Sequence, residues 1–408
     1  MAARAFLATI FVLLTSFPAL AHKKADPRDH SGAIVLCYHI VESPQDPRME
    51  ISRETFRQQM EYLEMTGYNV IPLRHLYEYV TGERDSLPPN AVVITIDDGW
   101  RSTYTEAYPE LKKRGFPFTV FVYPNIISKT IISLNWDQIR EMSENGGDIE
   151  SHSWSHPFLT RRRHEELDDA GYATWLQREL VESKRLIEKH TGETVEFLAY
   201  PYGDYDHRLK AAVAKAGYAA ALTCEFGKVI QGSDPLRMKR LVIDKRIDFA
   251  EFRHYMGATP MQLAEMSPKP GDVTEPAMTI SARIPNFKNL DPHSVGMALL
   301  GAGSLLPYAY DEQTGAITLV LNDAIKSITG TYQRAVVWAT DTKTGRRVEA
   351  SWTFKWPDQV LPPALPVPTT PAQVVPAPSE TAAPARRAAT AQVIPVSGAS
   401  AAIVSHPR

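Results

Sequence analysis

The nine residues Ala91-Val92-Val93-Ile94-Thr95-Ile96-Asp97-Asp98-Gly99 decide how this chain is read. Residues 91–96 form a continuous run of β-branched and apolar side chains, the pattern of a strand buried on both faces. Two carboxylates close the run and a glycine follows. A helical pattern then fills 102–114 and stops at Gly115, and 118–123 is a second buried strand. Strand, helix and strand in close succession mark a parallel βα arrangement.

The alternation extends in both directions. Residues 33–40, 69–72, 148–151, 196–200, 219–223 and 241–244 read as further strands, and 52–66, 73–80, 136–144, 172–190 and 205–216 as helices. In the first of these helices Phe56, Met60 and Leu63 share one face, and Gly67 ends it. The expected fold class is therefore α/β, a parallel sheet or barrel. Residues 259–276, with Pro260, Pro268, Pro270 and Pro276, read as a linker. Residues 277–356 change to short alternating strands separated by the turn pairs Thr314-Gly315 and Thr344-Gly345, which predicts a small all-β, Ig-like sandwich. Residues 357–408 are rich in Pro, Ala, Thr and Val without periodicity and read as a disordered tail.

The amino terminus reads as a targeting segment. Arg4 precedes an apolar run over 6–17, and Ala19-Leu20-Ala21 has the small-residue form of a cleavage site. Residues 1–21 are thus expected to be a signal peptide, with export to the periplasm or the exterior. The run is too short for a membrane span, so none is expected after cleavage. A net charge of −3 argues against a nucleic-acid partner bound through bulk charge. Cys37 and Cys224 are the two cysteines; a disulfide suits an exported protein, and a pair of buried free thiols suits their apolar surroundings equally.

The chemistry concentrates at strand ends. Asp97 and Asp98 end one strand, His152-Ser153-Trp154-Ser155-His156 follows another, and Tyr202 follows a third. In barrels the carboxyl ends of the strands carry the active site. One carboxylate and two imidazoles make the ligand set of a catalytic zinc-type site, and the spare carboxylate beside it is placed to accept a proton from water. Neighbouring strand residues point to opposite faces. Asp97 and Asp98 can therefore serve one pocket only if the strand stops there, and Gly99 permits that turn. Asp-Asp-Gly is by itself a common turn before a helix; the His-x-x-x-His pair is what favours a site.

These residues resemble the NodB-like polysaccharide deacetylases, carbohydrate esterase family four. Thr95-Ile96-Asp97-Asp98-Gly99 resembles the first family motif, His152-Ser153-Trp154-Ser155-His156 the second and Tyr200-Pro201-Tyr202-Gly203 the third. The resemblance implies a distorted (β/α) barrel of the polysaccharide deacetylase type over 30–258. It implies a divalent metal, most simply Zn2+, on Asp98, His152 and His156, with Asp97 as general base and the backbone N–H of Tyr202 beside the oxyanion. Two departures stand out. Ala199 occupies the place of the arginine that usually opens the third motif, with Arg240 a candidate substitute. The last motif, L-x-x-H, has no copy after Gly203; Leu36-Cys37-Tyr38-His39 has that form in the first strand. This permuted order resembles the biofilm branch, the poly-β-1,6-N-acetylglucosamine deacetylases, and makes His39 the candidate acid.

The implied activity is removal of N-acetyl groups from an N-acetylglucosamine polysaccharide. Trp100, Trp154, Pro201 and Tyr202 are the candidate substrate contacts, and Tyr123 is a further aromatic that suits either a sugar face or the core. The cluster Arg161-Arg162-Arg163-His164-Glu165-Glu166 reads as an exposed helix start or an attractor of anionic polymer. The β-sandwich is expected to dock glycan or protein. Alternative readings are a deacetylase of peptidoglycan, chitin or xylan, or a non-catalytic carbohydrate-binding or matrix protein on the same fold.

Overall fold

The computed structural model describes residues 32–42, 49–160, 167–257, 259–276, 279–300, 306–321 and 332–356. The signal peptide read at 1–21, the basic cluster at 161–166 and the tail read at 357–408 lie outside the described residues.

The first part runs β1 (Ala33–Tyr38), β2 (Ile40–Val41), β3 (Glu50–Ile51), α1 (Arg53–Thr66), β4 (Asn69–Val70), α2 (Leu73–Thr81) and β5 (Ala91–Asp98). It continues with α3 (Tyr108–Arg114), β6 (Phe118–Val122), α4 (Trp136–Glu144), β7 (Gly147–Ser151), α5 (Asp169–Gln177) and α6 (Ser183–Thr191). It ends with β8 (Phe197–Ala199), α7 (His207–Lys215), β9 (Ala220–Leu222), β10 (Leu241–Val242) and α8 (Phe249–Met256). Local chemistry sets the ends of the helices. Ser52 caps α1 by accepting from Thr55 N at 3.0 Å, and Gly67 closes it at φ 80°. Asn135 and Gln138 form a capping box on α4. The helix expected over 172–190 is α5 and α6 joined by a π-helical turn at Arg178–Glu182, a local widening often found near functional groups.

The strands form one curled parallel sheet in the order β10-β1-β5-β6-β7-β8-β9, with β4 also paired to β5. The segment leading into β10 reaches across its seam. Met238 pairs with Leu222 of β9, and Leu241 pairs with Leu36 of β1. Alternation sorts the side chains into two cores. Ala33, Val35, Val93, Phe121, Phe197, Ala199 and Met238 meet inside the curl. Ile34, Leu36, Val92, Ile94, Ile96 and Leu198 face the helices with Phe56, Leu63 and Leu111.

The second part comprises β11 (Thr259–Pro260), β12 (Ala264–Ser267), β13 (Thr279–Arg283), β14 (Gly296–Leu300), β15 (Tyr308–Tyr310), β16 (Ala316–Val320), β17 (Tyr332–Thr340) and β18 (Arg347–Lys355). They make two four-stranded sheets, β11-β18-β17-β14 and β12-β13-β16-β15. A common core of Ile280, Met297, Ile317, Leu319, Val337, Trp352 and Phe354 fills the space between them. The stretch read as a linker supplies β11 and β12. Both are edge strands, where proline removes no hydrogen bond that the sheet needs. Gly315 and Gly345 take φ of 74° and 64° in the two expected turns. No helix among the described residues is long and apolar enough to cross a membrane.

Ile94 is fully buried at the centre of β5, on the helix-facing side. Ile94→Ala is expected to lower unfolding free energy by about 2–5 kcal/mol through cavity formation. Urea titration reads this as a lower midpoint with an unchanged slope.

Candidate active site

The interior face of β5 carries Val93, Thr95 and Asp97 in phase; Asp98, one residue on, is due to point at the helices. It does not, because the backbone turns left-handed at Asp98 itself, φ 76°, and again at Gly99, φ 75°. A Cβ on Gly99 would lie 3.0 Å from Ile127 Cδ1 and 3.3 Å from Val122 Cγ1, so a side chain there would be crowded as well as strained. Both carboxylates consequently open into one cleft of about 670 Å³. His39, Trp100, Tyr123, His152, His156, Tyr202 and Cys224 also line it.

His152 follows β7 in the interior phase of Asp148 and Glu150, and its ring Nδ1 lies 2.8 Å from the Ala199 carbonyl. A proton on Nδ1 donates to that oxygen and leaves the Nε2 lone pair facing the cleft. His156 is brought round by a loop with positive φ at Ser153 (64°) and at His156 (57°). The buried Glu179, on the π-helical turn, pins this loop. It accepts from Trp154 N at 3.1 Å, Ser155 N at 2.9 Å and Ser155 Oγ at 2.7 Å.

The three groups converge. Asp98 Oδ1 lies 3.5 Å from His152 Nε2 and 3.3 Å from His156 Nε2. Tetrahedral coordination with bonds of about 2.0–2.1 Å requires ligand atoms about 3.3–3.4 Å apart, so these residues fit a divalent cation. Asp98 Oδ1 is buried without a hydrogen-bond partner, while Oδ2 accepts from Trp100 Nε1 at 3.0 Å. Burial alone would raise the Asp98 pKa, but the neighbouring histidines hold it well below the usual carboxylate range. Burial, with His152 alongside, pushes His156 down to about 4. It is therefore neutral and able to ligate at neutral pH. Burial also pushes His152 down, and the Asp97 and Asp98 carboxylates more than offset it.

Asp97 is almost wholly enclosed. Its Oδ2 sits 3.7 Å from His152 Nε2 and accepts from Cys37 Sγ at 3.5 Å. Its Oδ1 accepts from Arg240 Nη1 at 2.7 Å. Arg240 is buried at the seam of the curl, donating from Nε to the Thr223 carbonyl at 3.0 Å and from Nη1 to Thr95 Oγ1 at 3.3 Å. Burial acts to raise the Asp97 pKa, and Arg240, then His152 and His39, reverse that and keep it low. His39 lies just past β1 on the interior phase, with a buried Nδ1 that has no hydrogen-bond partner. Cys37 and Cys224 are both free thiols.

Tyr202 takes φ 62° and ψ 5° in the turn after β8. Its ring stacks on Phe158 with centroids 4.0 Å apart and meets His156 edge-on at 4.6 Å. Trp100 and Tyr123 line the cleft with it. Trp154 and Pro201 are not among the lining residues. Trp154 lies under the Arg178 guanidinium at 5.8 Å, and Pro201 is buried in the turn.

Sequence reasoning missed three contributors. Asp244 and Arg246 line the cleft beside His39, with the Asp244 carboxylate accepting from Arg246 Nε at 3.0 Å and Nη2 at 2.5 Å. Their signal is an acidic residue just after β10, which pairs with the strand of His39. Glu179 carried no signal, since only the π-helical turn brings it to the histidine loop.

Residues 84–221 match the family model described as Polysaccharide deacetylase. YxkH of Bacillus subtilis, named only provisionally for polysaccharide deacetylation, is 27% identical over 223 residues, 54% of this chain and 75% of that one. A poly-β-1,6-N-acetyl-D-glucosamine N-deacetylase of Staphylococcus epidermidis is 24% identical over 264 residues, 58% of this chain and 90% of that one. The structure of IcaB from Ammonifex degensii superposes with a TM-score of 0.51 at 26% identity, over 56% of this chain and 99% of that one. With the motif residues gathered at one end of a curled parallel sheet, these matches identify the chain as carrying a polysaccharide deacetylase domain of the NodB-like type, carbohydrate esterase family four.

Proposed function

We propose that this protein is an exported, metal-dependent enzyme that removes N-acetyl groups from a polysaccharide of the poly-β-1,6-N-acetylglucosamine kind, releasing acetate. The observation that carries this reading is the triangle of Asp98, His152 and His156 with Asp97 directly beside it. The histidine-bearing motif in the first strand and the name of the staphylococcal relative support the substrate class. The apolar run before Ala21 supports export, and the two-sheet region is read as Ig-like.

Asp98, His152 and His156 would hold a divalent cation, most simply zinc, which when bound would lower the pKa of water to about 7 and polarise the acetamide carbonyl. Asp97 accepts the proton as water adds to that carbonyl. The backbone N–H of Tyr202 meets the negative charge that develops on the oxygen. His39 delivers a proton to the departing amine, which leaves as a free glucosamine unit. Trp100 and Tyr202 offer faces to the sugar, and Trp154 and Pro201 shape the loops behind them. Arg240 weighs against the non-catalytic alternative: the segment entering β10 brings to Asp97 the guanidinium missing at Ala199.

Asp98→Ala is expected to lose bound metal and acetate release together, by at least about a hundredfold, since even changes around metal ligands cost about 10–100-fold. Metal analysis beside an acetate assay on N-acetylglucosamine oligomers checks this; wild-type rates in the variant overturn the assignment.

The base role has a pH signature. Asp97 works ionised, so activity is present above its pKa and is lost as pH falls through it. Arg240→Met removes the cation that opposes burial, the pKa rises, and the acid limb of kcat at saturating metal is expected to move to higher pH. The same variant leaves a buried carboxylate unpaired and should lose about 3–5 kcal/mol of stability. An unmoved acid limb in a folded variant would sink the base assignment.

A further inference from the structure

We propose that the two-sheet module is a working part of the catalytic cleft: Tyr332 and Lys355 are positioning residues that hold the turn carrying Tyr202. This rests on the deacetylase reading of the cleft.

The turn needs holding. Tyr202 and Gly203 take successive left-handed conformations, φ 62° and 68°, which a tyrosine keeps only where its surroundings over-determine it. The barrel supplies part of the restraint. Gly203 N donates to the Tyr200 carbonyl at 2.8 Å and Asp204 N to the Pro201 carbonyl at 3.1 Å. Gly203 packs so closely on Cys224 that a Cβ would lie 2.7 Å from that residue's backbone nitrogen. Thr160 Oγ1, just past the histidine loop, donates to Asp204 Oδ2 at 2.8 Å.

The module supplies the rest. Tyr332, at the start of β17, donates its hydroxyl to the Gly203 carbonyl at 3.1 Å. Lys355, at the end of β18, places Nζ 2.6 Å from Asp204 Oδ1, with both side chains buried. The neighbouring segment after β9 is tied as well. Glu225 Oε1 accepts from Thr353 N at 2.8 Å, Thr353 Oγ1 at 2.7 Å and Tyr205 Oη at 2.8 Å. Its neighbour Cys224 lines the cleft. These module contacts therefore land within two residues of a cleft-lining side chain. A module that merely accompanied the barrel would need none of them there.

Tyr332→Phe deletes one hydroxyl and keeps the ring. It is expected to lower kcat about tenfold, a modest loss for a misplaced catalytic group, with KM and bound metal unchanged. Amide hydrogen exchange across 200–205 should accelerate about tenfold as the turn loosens. Lys355→Met strands a buried carboxylate and endangers folding, so it is paired with Asp204→Asn; the double variant is expected to fold and to show the same loss of kcat. Glu265→Gln, on the outer strand β12, should change neither readout. Wild-type kcat with wild-type exchange in Tyr332→Phe and in the double variant would overturn the proposal. So would a loss of kcat that only tracks lost metal or lost folded protein. A wild-type protein that releases no acetate fails the deacetylase reading instead, and the exchange measurement still decides whether the module holds the turn.

Discussion

Everything at this site depends on breaking the period of a strand. A regular β-strand sends adjacent side chains to opposite faces, and the proposed chemistry needs two adjacent carboxylates in one pocket. The chain meets that need with a left-handed residue at the last position of β5, where Asp98 has φ 76°. Aspartate is among the few non-glycine residues that tolerate this region, because its short side chain can bond locally. Here Asp98 Oδ2 accepts from Trp100 Nε1 two residues on. The turn then divides the labour. Asp97 stays in the interior phase, where Arg240 reaches it, and Asp98 swings to face the two imidazoles.

Much of this was legible in the sequence because it is written in local patterns. The strand over 91–96, the stops at Gly67 and Gly115, and the helix over 136–144 all follow from periodicity, caps and left-handed glycines. The gathering of Asp98, His152 and His156 was legible too, since each follows a strand of a parallel sheet and such ends share one side. What was not legible is long-range. Glu179 reaches the histidine loop only because a π-helical turn shifts the phase of one helix. Asp244 meets His39 only because β10 lies beside β1. The residues over 259–276 looked like a linker because prolines mask strands; Pro260 sits in the edge strand β11, and Pro268, Pro270 and Pro276 fall outside β12.

Arg240 shows why strand order matters less than strand adjacency. The family motif places an arginine just before the Pro-Tyr turn, and this chain has Ala199 there. The Ala199 carbonyl is nonetheless in use, fixing the tautomer of His152. The guanidinium comes from the segment that spans the seam between β9 and β1, and it arrives at Asp97 from the other side. A curled sheet whose first and last strands meet has no privileged starting point. The same reasoning lets a histidine from the first strand serve where a later one would otherwise stand.

The strain in the site explains why so much structure surrounds it. Asp98, Ser153, His156 and Tyr202 are all left-handed without being glycine, and each such residue costs about 1–3 kcal/mol. Within a few residues the chain cannot recover that energy, so rigid groups farther away must. Glu179 accepts three hydrogen bonds from the histidine loop, and Thr160 and Lys355 grip Asp204 from two directions. Each restraint ends on a buried carboxylate, where a charge-assisted contact is stronger than its neutral equivalent. The strained loops can thus be short and the cleft open, since their shape is enforced from behind rather than by the substrate. The geometry of the cleft floor is thereby complete before anything binds.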